Sequence, residues 1–239
     1  MKSPTELWVY LSASPLIWLT LTVCVWVAAS ELSIRLGRNP LANPVLASIL
    51  ALSAIVWAAG VPYQRYFEGA QFVHFMLGPA TVAIAVPLAQ RWREVSRLIG
   101  PIGAALIVGS LTAVLSVVAL GKLVGLSNEV LVSFLPKSAT AGVAMAVSAS
   151  LGGDPSLTAV LTVTTGIVGA LVVTPFMNLF RIKDFAARGF AAGLTAHGIG
   201  TARAYEVSAT AGLFAGIAMA LNAVATSVVA PAAAWLFLR

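Results

Sequence analysis

Cysteine is almost missing from this chain. Cys24 is its one thiol, set inside an apolar run, so no intrachain disulfide can form and no pair of cysteines has metal-ligand spacing. Histidine is nearly as scarce: His74 and His197 are the whole supply, too few with one cysteine for an ordinary metal site. The short signatures of common enzymes, H-E-x-x-H, G-x-S-x-G and the Walker A loop, are absent as well. The residues therefore point away from an enzyme and call for no cofactor. Charge is the largest shortage. Charged residues make up 9% of the 239, against the roughly 25% with which a soluble domain covers its surface.

What is present in quantity is apolar surface: 59% of the residues are hydrophobic and mean hydropathy is +0.96. Lipid must be the solvent. The formal net charge of +6 comes from basic residues in short clusters between apolar runs, without interleaved aromatics. That is the pattern of positive-inside anchoring and excludes nucleic acid as the partner. The apolar run over residues 7–30 far exceeds the h-region of a signal peptide (about 7–15 residues) and reads as a retained first span.

A spanning helix needs about 20 apolar residues. Windows of that kind lie near 7–30, 39–61, 69–90, 98–121, 155–180 and 207–238. The expected fold is an all-α polytopic membrane protein, one transmembrane domain over 1–239 with about six full spans. Two segments, near 129–153 and 189–206, are too short or too charged to cross simply. They read as re-entrant or discontinuous helices, which are tolerated only where protein walls a cavity. Arg35 and Arg38 share a side with Arg91, Arg93 and Arg97. Arg181, Lys183 and Arg188 join them only if 122–154 does not fully cross, which favours re-entry and termini outside.

Internal similarity points another way. Residues 75–85 resemble 134–144, each with a proline shortly before an Ala-Thr pair, and the hexapeptide at 110–115 recurs at 156–161. Paired broken segments of this kind signal an inverted repeat in transporters. A true repeat would make 69–90 and 129–150 the same kind of element, whereas the charge rule treats them differently. Abundant glycines, among them Gly142, Gly166, Gly169, Gly193, Gly212 and Gly216, suit close helix packing in lipid.

Three polar clusters could carry chemistry. Lys137, between Pro136 and Ser138, is a cation in an apolar stretch, where centring a lysine costs about 2.5–3.5 kcal/mol. Pro136 breaks a helix, and Ser138 and Thr140 open the next. Free amides, hydroxyls and an ammonium there suit a carboxylate; the plainer alternative is a snorkelling lysine. In the second cluster, Gly152, Gly153 and Asp154 precede Pro155, Ser156 and Thr158, a helix start at which Asp154 is a cap or a proton site. The third runs from Thr195 to Glu206 and contains His197, Gly198, Gly200, Thr201 and Arg203. His197 is a candidate proton partner and Arg203 a second carboxylate anchor. An internal Arg203–Glu206 pair, with Glu206 otherwise a proton candidate, is the plain alternative. The break at Gly78 and Pro79, followed by Thr81, mirrors the first cluster. Asn39, Asn43, Asn178 and Asn222 serve equally well as helix–helix glue.

These motifs carry a resemblance. The stretches at 77–83, 136–140, 152–160 and 196–203, in that order, resemble the LrgB/CidB family, with further similarity at 39–50 and 212–222. The chain departs from the family's Pro-Lys-Ser-Val-Thr-Thr-Pro-Ile pattern at Ala141 and Gly142. It also has Ala146 to Ser150 where members often carry glutamates before the double glycine. The resemblance implies a multi-pass protein of the bacterial inner membrane, working beside a small CidA/LrgA-like membrane protein, with a homodimer expected. It also implies one of two functions. One is secondary or facilitated passage of small monocarboxylates of the glycolate, glycerate, pyruvate or lactate class. The other is a holin/antiholin-like pore that regulates murein hydrolase export and lysis. The substrate residues expected under the first are Lys137, Ser138, Thr140, Thr81, Ser156, Thr158, Thr201 and Arg203, with His197, Asp154 and Glu206 as proton-coupling candidates.

Overall fold

The computed structural model describes residues 14–39, 42–76, 79, 86 and 89–238. Every described regular element is a helix. The chain forms two compact units, residues 1–85 and 86–239.

In the first unit, α1 (Pro15–Arg35) starts with proline at its first position and ends on Arg35, paired at 2.9 Å with Glu31 one turn back. α2 (Pro44–Ala58) is capped by Asn43, whose side-chain oxygen accepts from the amides of Val45 and Leu46. α3 (Tyr63–Phe75) lies against α1. Trp18 is buried there, edge-on to Tyr66 with ring centroids 6.1 Å apart, and a Cβ at Gly69 would sit 2.1 Å from the Pro15 carbonyl oxygen.

This unit differs from the windows read in the sequence. The window 39–61 contains a 15-residue helix, about 22 Å long and short of a bilayer core of about 30 Å. Of the 69–90 window, residues 77–78, 80–85 and 87–88 lie outside the described residues; its first part falls in α3, which starts earlier, just after Pro62, and carries Arg65 and Glu68. A charge-free window misses a helix that begins in charged, aromatic sequence. The Gly78 and Thr81 assignments lie outside the described residues; Pro79 is exposed.

The second unit holds α4 (Trp92–Ser96), α5 (Ile99–Val124), α6 (Asn128–Phe134), α7 (Ala141–Ser150), α8 (Pro155–Leu179), α9 (Phe185–Val207) and α10 (Ala209–Phe237). α5 stops at Gly125, which takes φ +79, while the Leu126 amide returns to the Gly121 carbonyl at 2.9 Å. Glycine permits this left-handed closure without a Cβ penalty. α6 and α7 have 7 and 10 residues, so neither crosses a bilayer. α8 opens on the Asp154 cap with Pro155 next, and it and α10 run on through Pro175 and Pro231.

α9 and α10 touch backbone to backbone. A Cβ on Gly189 or Gly193 would fall 2.0 or 1.9 Å from the carbonyl oxygens of Ala211 and Ala215. Small residues permit this approach where lipid gives no hydrophobic drive for helix association. One apolar core gathers Val114, Val117, Leu131, Leu135 and Val147; another gathers Phe190, Leu194, Leu213, Phe214 and Ile217.

Among the described residues, α1, α5, α8 and α10 are long and apolar enough to cross a membrane. They fall in four of the six expected windows. The hexapeptide repeat has no structural counterpart: Ser110 is buried midway along α5, whereas Ser156 is exposed in the first turn of α8. Similar short strings in small, apolar sequence here occupy unlike places in their helices.

Candidate functional site

The first component is the turn between α6 and α7. Leu135 and Pro136 are buried, and the Lys137 and Ala139 amides return to the Phe134 and Pro136 carbonyls at 3.2 and 2.9 Å. Thr140 then takes an extended conformation as the N-cap of α7, but its hydroxyl makes no capping bond. The first amides of α7 are thus left without that side-chain acceptor. Lys137 is half-buried, and among the described residues its ammonium has no hydrogen-bond or ion-pair partner. It lies at an open groove of about 340 Å³ lined by Val117, Leu120, Gly121, Val124 and Phe134.

The second component is a break inside α9. Ala196 has φ −121, ψ 18 and His197 has φ 40, ψ −130. A non-glycine residue in that region stores about 1–3 kcal/mol, which the surroundings must offset. They do so through α8. The His197 Nε2 sits 2.9 Å from the Thr162 carbonyl oxygen, so it carries the proton and donates. A Cβ at Gly166 would come within 2.6 Å of the imidazole, and one at Gly169 within 2.5 Å of the Ala196 methyl. Beyond the break, the Thr201 hydroxyl donates to the His197 carbonyl at 2.8 Å.

Asn222 of α10 brings the two components together. Buried to 1% exposure, it donates from Nδ2 to the carbonyls of Ser138 and Leu194, both at 3.0 Å. Its Oδ1 accepts from the Ser110 hydroxyl at 2.8 Å. One side chain therefore ties the turn after Pro136 and the residues just before the α9 break to α5 and α10. Sequence reasoning left Asn222 as one asparagine among four. Its signal was a strongly polar residue in the middle of the 207–238 window.

The remaining candidates form separate groups. Thr158, fully buried, places its hydroxyl 3.0 Å from the Ser133 carbonyl, 2.7 Å from the Ser148 hydroxyl and 2.8 Å from the Asp154 carbonyl. The Ser133 hydroxyl accepts from the Asp154 amide at 2.8 Å. Asp154 accepts from the Ser156 amide at 2.7 Å, both side chains being exposed. Gly152 turns the chain with φ +82, and a Cβ on Gly153 would meet the Ser148 hydroxyl at 2.5 Å. These contacts staple the α7–α8 turn to α6, with Ser133 and Ser148 as members the sequence did not single out.

Arg203 and Glu206 pair at 2.7 Å. Arg203 is buried, its Nε has no hydrogen-bond partner, and it lines with Arg188 a cavity of about 20 Å³, room for about one water. Lys137 and Arg203 thus face different cavities. Gly200 packs on Ala192 and Ala196, while a Cβ on Gly198 would make an ordinary contact with the Met219 sulfur at 3.9 Å. Among the described residues, no three of His, Cys, Asp and Glu cluster to hold a metal ion.

Comparison with known proteins agrees with the motifs. The model of the LrgB-like family matches residues 22–236. The Holin-like protein CidB of Staphylococcus epidermidis is 30% identical over 228 residues, covering 95% of this chain and 98% of that one. Two proteins of Bacillus subtilis, YxaC and YwbG, both named as uncharacterized, are 32% and 34% identical. They cover 93% and 89% of this chain and 96% and 94% of their own lengths. No solved structure matches. With apolar helices long enough to cross a bilayer and bacterial relatives aligned over nearly its whole length, the chain is a multi-pass bacterial membrane protein and belongs to the LrgB-like family.

Proposed function

We propose that this chain is a non-enzymatic secondary carrier or facilitator of small monocarboxylates, of the glycolate, glycerate, pyruvate or lactate class, across the bacterial inner membrane. It acts beside a small CidA/LrgA-like membrane protein, as a homodimer. The observation that carries the reading is the joining, through Asn222, of the turn after Pro136 to the segment before the α9 break. Interrupted helices meeting inside a bundle are where transporters expose backbone groups to a solute. In this reading the Lys137 ammonium takes the carboxylate, with the Thr140 hydroxyl and the first amides of α7 as further donors. Arg203, engaged by Glu206 at another cavity, is not its second anchor. His197, Thr201 and Thr158 hold the architecture, since each spends its polar group on backbone.

A holin-like pore component is the second reading, and the printed name of the Staphylococcus epidermidis relative fits it better. Uptake of labelled pyruvate, glycolate and lactate into proteoliposomes, with and without a CidA/LrgA-like partner, separates the two. A carrier gives saturable flux that Lys137→Ala abolishes while the protein still assembles. Unselective dye leakage without saturable flux in either preparation sinks the carrier and leaves the pore.

A further inference from the structure

The interruption at Ala196 and His197 turns α9 back on itself. In a straight helix Arg188 and Arg203 would stand about 22 Å apart. Both instead line one cavity of about 20 Å³. Ala204 on the returning arm packs with Ala192 on the entering arm and with Ala211 of α10. A Cβ on Gly200 would run into the Ala192 carbonyl oxygen. α9 is therefore a hairpin whose feet stand beside the first turns of α10. Its tip lies at mid-height, where Gly166 and Gly169 of α8 receive His197 and Ala196, and Asn222 of α10 holds Leu194.

α6 and α7 form a second hairpin from the opposite end. At its foot Asn128 donates to the Leu238 carbonyl at 3.0 Å, beyond the last turn of α10. Its turn reaches the same Asn222 through Ser138. Each hairpin follows a spanning helix, α5 of 26 residues or α8 of 25. The two helices run in opposite directions: Lys122 late in α5 meets Phe237, whereas Thr174 late in α8 shares a cavity with Ala211. Arg91 donates to Thr210 at 3.3 Å, so Arg93 and Arg97, on the approach to α5, share a face with Arg181 and Lys183 before α9. Positive charge marks that face as cytoplasmic. The feet of α6 and α7 therefore stand at the outer face.

We infer that residues 99–150 and 155–207 are inverted halves, and that the α9 hairpin is the cytoplasmic gate over the turn carrying Lys137 and Thr140. This rests on the carrier reading, which makes that turn the solute's site. Halves of opposite orientation with interrupted helices at mid-membrane are the framework of alternating access. The hairpin has a latch and a strained pivot. The latch is the 2.9 Å donation from His197 to the Thr162 carbonyl, and the pivot is His197 itself at φ 40. Opening the tip releases that backbone strain. Closed, the entering arm lies backbone to backbone on α10 at Gly189 and Gly193, which leaves no passage along that contact.

Single cysteines on a Cys24→Ser background test this in right-side-out and inside-out vesicles, with a membrane-impermeant maleimide as the probe. Lys183→Cys and Val207→Cys, at the two feet of α9, should react from the cytoplasmic face. Glu129→Cys and Ser156→Cys should react from the outer face. All four positions are exposed. Labelling of Lys183→Cys and Val207→Cys from opposite faces overturns the hairpin. At the turn, Thr140→Cys should react slowly from the cytoplasmic face. His197→Ala keeps the strain and deletes the latch. It should speed that reaction about tenfold, the worth of one hydrogen bond in an opening equilibrium, without changing the outer rate. If that variant does not fold, Gly193→Ala, which wedges the entering arm off α10, should do the same. Equal rises from both faces mark a loosened fold and overturn the gate. An unchanged cytoplasmic rate overturns it too, even when labelled glycolate is taken up saturably. A gated turn without saturable glycolate uptake supports the gate and sinks the carrier reading instead.

Discussion

The side-chain amide of Asn222 donates to the carbonyl oxygen of Ser138 at 3.0 Å, across 84 positions of sequence. The same Nδ2 reaches Leu194, and Oδ1 takes the Ser110 hydroxyl. The residue works as a joint with three partners, on α5, on α9 and in the turn before α7.

Asn222→Leu keeps the branched shape, in a larger side chain, and removes the joint. A loss of about 1–2 kcal/mol is expected, the size of a strong interhelical hydrogen bond in a membrane protein. It should appear as a lower midpoint for thermal loss of the monodisperse peak in detergent. An unchanged midpoint would show that Asn222 is not holding these segments together.

His197 allows backbone strain to be separated from side-chain loss. His197→Ala and His197→Gly both delete the Nε2 donation to Thr162, but only alanine keeps a Cβ at φ 40. Glycine should therefore be the milder change by about 1 kcal/mol, the reverse of the usual order inside a helix. If alanine is the milder one, the break is not strained.

Gly193→Ala drives a methyl into the Ala215 carbonyl oxygen, a backbone atom that no rotamer change can move. Overpacking of this kind costs about 1–3 kcal/mol or more. Gly103→Ala in α5 meets nothing within 4 Å and should be neutral or stabilising by up to about 1 kcal/mol. Equal midpoints for the two variants would contradict the close α9–α10 contact.

The Arg203–Glu206 pair sits between surface and core, with side-chain exposures of 10% and 28%. A double-mutant cycle with Arg203→Ala and Glu206→Ala should give a coupling of about 1–2 kcal/mol, between exposed and fully buried pairs. A coupling near zero would remove the structural role and return Arg203 to the list of substrate anchors.

The helix starts were legible because capping chemistry is local. Asp154 before Pro155 and the disruption around Pro136 follow from residues within one turn of each other. The interruption at 189–206 was legible as glycines flanking a histidine in a segment too short to span, although His197 itself, not a glycine, takes the positive φ. The opening of α3 was not legible, because Arg65 and Glu68 hide a helix from a search for charge-free runs.

Composition determined the solvent, because a chain with 9% charged residues cannot cover itself in water, and apolar windows of about 20 residues determined the helical class, since a spanning barrel strand needs only about 9–11. Local sequence determined where helices start and break, since caps and prolines act within a turn. Only the tertiary structure decided which breaks meet. Pairing residue 138 with 194 through 222 depends on how α5, α9 and α10 pack, and small-residue contacts such as Gly193 on Ala215 leave no pattern in one strand of sequence that names their partner.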